Sequence, residues 1–277
     1  MKQELEEFMK DKQIDSLDDM NLAVNQFVLK SWIDFAHHEI SPIHKDAHKY
    51  LEKWDQNHHI KDLKKVLEIY PDCFLAKVYL LHEEDTYFFI REMEKMLVEE
   101  EARLRNSGIM KKYKNGFCFT LEGGDYLKAI FLLIEAYIQI GGYFKASKWA
   151  EKMLLLDPDD SLCVRMTLAG LYACLEEESK LVKLYRSRKE KYIPYDLSFM
   201  CLYYKRGDFD KAKEYLEVIE QKNAFFIPYV LENKEKEKPK GAKVGTENEV
   251  ITVLTEMKYL IDSTYHIKDF IIKRGNV

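Results

Sequence analysis

The stretch Tyr203–Glu217, YYKRGDFDKAKEYLE, decides the fold. Counted from Ile193 as position 1, Phe199, Tyr203, Gly207, Phe209, Ala212 and Leu216 fall at positions 7, 11, 15, 17, 20 and 24. Each residue type has a task. A glycine at position 15 supplies a permissive helix-to-helix turn, and a small side chain at position 20 lets the second helix approach the first. Large side chains at the other positions fill the space that remains. Working backwards, Leu133, Tyr137, Gly141, Tyr143, Ala146 and Pro158 occupy positions 7, 11, 15, 17, 20 and 32 of a window that starts at Leu127. A window from Leu162 keeps Leu168, Ala169 and Tyr172 at positions 7, 8 and 11, but carries Glu176 in place of the turn glycine and Leu181 in place of the alanine. Internal repetition takes precedence over local propensity, because a lone helix pair cannot bury its own apolar face and must stack on neighbours. The competing reading is an ordinary helical bundle with coincidental spacing.

This order of residues resembles the tetratricopeptide-repeat (TPR) superfamily. The resemblance implies an all-α, TPR-like helical-hairpin solenoid wound as a right-handed superhelix. Its best repeats are 127–160, 162–192 and 193–226 within a repeat region of 71–231. A narrower resemblance rests on FCFTLEGGDYLKA from Phe117, leading into AYIQIGGYFKASKWAEKMLLLDPDDSLCVRM, with Glu122, Tyr126 and Arg165. These segments are similar to bacterial relatives of the suppression-of-tumorigenicity seven family. LEIYPDCFLAKVYLL, SLDDMNLAVNQF and ISPIHKDAHKYL add to the likeness, while Asp160-Ser161-Leu162-Cys163 departs from the Asn/Gln/Gly-rich junction of that group. The narrower likeness implies a TPR-like fold without catalytic residues.

Extra helices precede the repeats, in an N-terminal region of 1–70. Ser16 and Asp19 open a helix from about Leu17 to Ala36, and Ser41-Pro42 opens a second whose buried face is Ile43, Ala47, Leu51 and Trp54. Leu63, Val66, Leu67 and Tyr70 form a third stripe that stops at Pro71, and Phe89, Met93, Met96, Leu97 and Leu104 mark a longer helix ending before Gly108. Beyond Ile227-Pro228-Tyr229, residues 232–245 interleave charges with Pro239, Gly241 and Gly245 and read as an exposed loop. Thr246 and Glu249 have capping-box spacing, so 246–277 reads as a C-terminal capping helix with Val250, Leu254, Met257 and Ile261 on its apolar face.

Composition narrows the function. The 277 residues include only 11 glycines and 6 prolines, 33% are charged and 47% hydrophobic, which excludes global disorder and favours helices. A net charge of -5 from 43 basic and 48 acidic residues offers no basic patch for nucleic acid. The charged N-terminus and the most apolar window, Ala129 to Phe144, argue against export or membrane insertion. Five widely spaced cysteines without a CxxC pair fit reduced thiols in a cytoplasmic protein.

Chemistry-bearing motifs are sparse. His37, His38, His44, His48, His58 and His59 lie close together, and His44 and His48 are one helical turn apart, a spacing that can present two nitrogens to zinc or nickel. No HExxH and no third ligand accompany them. A metal-binding or metal-sensing protein is therefore the alternative function, and a peptide-responsive regulator core a further one. His82-Glu83-Glu84-Asp85 reads as a helix start favoured by the dipole. No phosphate-binding glycine loop or serine-nucleophile motif occurs, and Gly123-Gly124 lies in a helix-turn context. The remaining candidate is the repeat groove. Helix-A positions place Lys128, Phe131, Leu132, Ile138, Met166, Leu197, Tyr204 and Lys205 there. Two lysines are too few for a carboxylate clamp, so the expected partner is an apolar or helical protein segment, unless the chain's own C-terminal segment fills the groove. No enzyme activity and no cofactor are expected, and the aromatic N-terminal helices offer a homodimer surface.

Overall fold

The computed structural model describes residues 42–114, 116–187, 192–232, 243–273 and 275, the side chains of 42–45 and 232 excepted. The helix expected over Leu17–Ala36, His37, His38, the N-terminal dimer surface and most of the charged loop lie outside these residues. Among the described residues all regular structure is helical, and neighbouring helices pack in pairs. The chain divides into two compact units, 1–132 and 133–277.

In the first unit α1 (Pro42–Asn57) begins on the proline, whose missing N–H costs nothing there. α2 (Ile60–Ile69) ends ahead of Pro71, and α3 (Phe74–His82) follows. Leu51, Trp54, Leu63, Val66, Leu75 and Tyr79 are buried together, with the Trp54 and Tyr79 rings stacked 3.9 Å apart. Asp85 caps α4 (Thr86–Asn106), its carboxylate accepting from the Tyr87 and Phe88 amides at 3.0 and 3.3 Å. α4 buries Phe89, Met93, Leu97 and Leu104 and stops before Gly108, which takes a φ of +79°. A single turn, α5 (Ile109–Lys112), and a 3₁₀ turn at Phe117–Phe119 lead to α6 (Leu121–Gln139), within which the division between units falls. Thr120 Oγ1 accepts from the Gly123 amide at 3.0 Å and so caps α6.

The second unit continues with α7 (Tyr143–Leu156), α8 (Val164–Cys174), α9 (Glu178–Arg186), α10 (Ile193–Lys205) and α11 (Phe209–Lys222). Three turns in this unit are the same turn. At position 15 of each window the backbone is left-handed: Gly141 at +73°, Glu176 at +56° and Gly207 at +74°. In each, the next amide reaches back to the carbonyl of the position-11 tyrosine: Gly142 to Tyr137 at 2.7 Å, Glu177 to Tyr172 at 2.9 Å and Asp208 to Tyr203 at 2.9 Å. A second bond runs from position 15 to position 12, giving three Schellman C-caps. Ala146, Leu181 and Ala212 at position 20 are all fully buried, so the leucine of the middle window is accommodated. Glu176 pays for the left-handed conformation that glycine adopts freely. Glu176→Gly is expected to raise stability by about 1 kcal/mol, read as a higher urea midpoint. The Arg206 pair it gives up is long, 3.9 Å, and exposed, hence weak.

The C-terminal segment differs from the single helix expected. It forms α13 (Glu247–Glu256), α14 (Lys258–Asp262) and α15 (Ile267–Ile272), after α12 (Phe226–Glu232). The chain breaks first at Met257, between α13 and α14, and again after α14, where local groups compete for carbonyls: Ser263 and Thr264 hydroxyls both donate to the Leu260 carbonyl, at 3.1 and 2.7 Å, and His266 turns left-handed. The capping box expected between Thr246 and Glu249 does not form. Glu249 accepts from the Gly245 amide at 2.8 Å, whereas the Thr246 hydroxyl donates to the Lys243 carbonyl instead of capping α13.

Candidate functional site

The segment after residue 246 packs on α8 and α10. Gly170, mid-helix in α8, is where Tyr259 enters: a Cβ there would lie 2.3 Å from the Tyr259 hydroxyl. That hydroxyl donates to the Thr167 carbonyl at 2.7 Å. Burial holds the Tyr259 phenol well above its ordinary pKa, so it remains a donor. Cys174 Sγ lies 3.3 Å from Ser263 Oγ, and the fully buried Cys201 thiol, beside Thr264, is pushed up to about 12. Phe270 packs on Tyr204 with ring centroids 5.0 Å apart. The start of the segment is tied by Asn223, a buried amide that donates to the Thr246 carbonyl at 2.8 Å and to Glu249 at 3.0 Å.

The predicted groove residues fare differently. Leu197 is 0% exposed, a correction: it is a core residue because α10 is buried along nearly its whole length. Tyr204 is half-buried under Phe270 and Phe209, so it is no open anchor either. Met166, Ile138 and Lys205 are half-buried in the second unit, the last with Nζ 3.5 Å from the Cys174 carbonyl. In the first unit Phe131 is half-buried, Leu132 leans on the core around Leu51, and Lys128 is exposed. Arg165 turns back on its own loop, donating to the Pro158 carbonyl at 3.0 Å with Asp160 at 3.6 Å. The sequence offered only a weak signal for the Tyr259 seat, a glycine placed inside a helical pattern at a cost in helix propensity.

The first unit holds a cavity of about 70 Å³ with charged and apolar walls. α1 contributes Ala47 and His48, the α2–α3 turn Tyr70, Asp72 and Cys73, α3 Phe74, α4 Glu100 and Arg103, and α6 Leu121, Glu122 and Asp125. Glu100 and Arg103 close on each other through two hydrogen bonds of 2.6 and 2.8 Å. Asp125 is enclosed by protein and keeps its accessibility through the cavity it lines; this burial, reinforced by Glu122, Glu100 and Asp55 and opposed by Lys128, raises its carboxyl to about 7. Burial likewise pushes the Cys73 thiol up to about 11, away from the range of a reactive thiolate. Tyr126, next to Asp125, is fully buried and donates to Glu101 at 3.2 Å. Asp125 was legible as an oddity, since it falls at helical spacing with the apolar residues Leu121, Ala129 and Leu132. Among the described residues no group of three or more His, Cys, Asp or Glu side chains is placed to share a metal ion, and the His44 side chain is outside them. No described helix is long and apolar enough to cross a membrane.

Comparison with protein-family models, curated proteins and solved structures gives no match to this chain.

Proposed function

We propose that the chain is a non-enzymatic, cytoplasmic, TPR-like adaptor that binds a protein or peptide segment. The observation that carries this reading is the Schellman turn repeated at the same register in three successive windows, at Gly141, Glu176 and Gly207. Such regular hairpins are the building units of recognition scaffolds. Five free cysteines accord with a reducing compartment.

The seated C-terminal segment limits where a partner can bind. Leu197 and Tyr204 are taken, which leaves Lys128, Phe131 and Leu132 in the first unit and Ile138, Met166 and Lys205 in the second as the candidate contacts. Affinity capture with the full chain from its native cells, followed by binary binding of the purified partner, tests this. Met166→Glu and Lys128→Glu alter surface-accessible side chains and are expected to weaken that binding at least about tenfold with helicity unchanged. Undiminished binding by both variants, or no partner that binds directly, would contradict the reading.

A further inference from the structure

We infer that the cavity of the first unit binds the ammonium head of an organic amine between the Asp125 and Glu122 carboxylates. The charges around it are unevenly settled. Glu100 is closed by Arg103, and Asp72 by Lys77 at 3.3 Å. Asp125 and Glu122, three residues apart on α6 and lining the same cavity, have no hydrogen bond or ion pair with any described side chain. An enclosed carboxylate without a partner is costly, and its cheapest remedy is a donor that also carries positive charge.

Size and wall chemistry select the donor. About 70 Å³ is little more than the volume of two waters, too small for a nucleotide or a sugar. It accommodates an ammonium with its first methylenes, for which the Tyr70 and Phe74 rings supply an apolar and cation-attracting wall. A divalent metal lacks its three donors among the described residues. Internal water could solvate Asp125 but could not neutralise it.

Binding is coupled to a proton. The groups facing Asp125 are His48 and Asp55 of α1, Tyr70, Asp72 and Cys73 of the α2–α3 turn, Tyr79 of α3, Glu100 and Arg103 of α4, and Glu122 and Lys128 of its own helix. Together they leave its carboxyl partly protonated near neutrality. When the ammonium enters, the acid form loses its proton to solvent and the carboxylate accepts an N–H from the amine, which itself stays protonated. Without ligand the sign is that of a raised acid: stability falls as the pH rises from about 4 to about 7, and Asp125→Asn flattens that fall.

The test is calorimetric titration of the full chain with propylammonium, near neutral pH, in two buffers of different ionisation enthalpy. One saturable site with proton release is expected. Asp125→Asn and Glu122→Gln, each checked by circular dichroism, are expected to weaken it at least about tenfold, and Asp125→Asn to remove the proton release. Tetramethylammonium, which has the charge but no N–H, is expected not to bind. Equal binding of propylammonium and Nα-acetyl-lysinamide assigns the site to a lysine side chain of a partner; exclusion of the lysine derivative assigns it to a free amine. Absence of saturable propylammonium binding, or equal affinity in both variants, would overturn the proposal.

Discussion

Removal of residues 246–277 is expected to abolish cooperative unfolding of the second unit and to leave a protein that aggregates. Val250, Val253, Met257, Leu260, Ile267 and Phe270 are all buried in that unit, and each such side chain gains roughly 1.5–3 kcal/mol from burial. The loss falls on both sides, because Leu197, Ser198 and Cys201 of α10 are themselves fully buried and Cys201 sits beside Thr264. A hydroxyl-bonded tyrosine, a tied start at Asn223 and a ring contact at Phe270 describe a fixed cap and not a loose strap. Light scattering with urea unfolding followed by tryptophan fluorescence and circular dichroism reads the outcome. A truncated chain that stays monomeric with an unchanged midpoint would show that the segment adds nothing to the fold.

Gly123→Ala is expected to destabilise the chain by about 3 kcal/mol or more. A Cβ at Gly123 would lie 1.9 Å from the Phe117 carbonyl oxygen and 2.6 Å from Thr120 Oγ1. Neither neighbour is free to give way. The Phe117 carbonyl accepts from the Thr120 amide at 3.1 Å and from its hydroxyl at 2.8 Å, and the Phe117 ring is buried. The helix-propensity gain of alanine, up to about 1 kcal/mol, is smaller than the clash. Gly124→Ala is the internal comparison: its nearest contact is 3.4 Å from the Cys118 carbonyl, and propensity there meets far less opposition. Parallel denaturant midpoints measure the pair, and equal shifts would refute the packing described for the start of α6.

Much of this was legible in the sequence, and for identifiable reasons. Proline at Pro42 and Pro71, the Asp85 cap and the glycines at Gly108, Gly141 and Gly207 act within one turn of the chain, so local chemistry places them. Glu176 also marks its turn, because hairpin packing on both sides overrides the residue's own preference. The broken C-terminal helix was not read, since its apolar period continues through Ser263 and Thr264 while their hydroxyls divert the backbone. Leu197 was placed on the groove face, open or filled by the C-terminal segment, because helix register says which way a side chain points but not what covers it. The cavity is of the same kind: its walls come from segments as far apart in sequence as His48 and Asp125, which no spacing rule connects.

The chain's own C-terminal segment seats on α8 through Tyr259 and Gly170, and a double-mutant cycle between these two positions measures that seat. Gly170→Ala places a methyl against the hydroxyl and is expected to destabilise by about 1–3 kcal/mol despite the better helix propensity of alanine. Tyr259→Phe loses the bond to the Thr167 carbonyl, about 1 kcal/mol, but also removes the atom with which the methyl collides. The double variant is therefore expected to be more stable than the sum of the two losses, by at least about 1 kcal/mol. Strict additivity, with Gly170→Ala stabilising as it would on an open helix face, would show that the segment does not seat there.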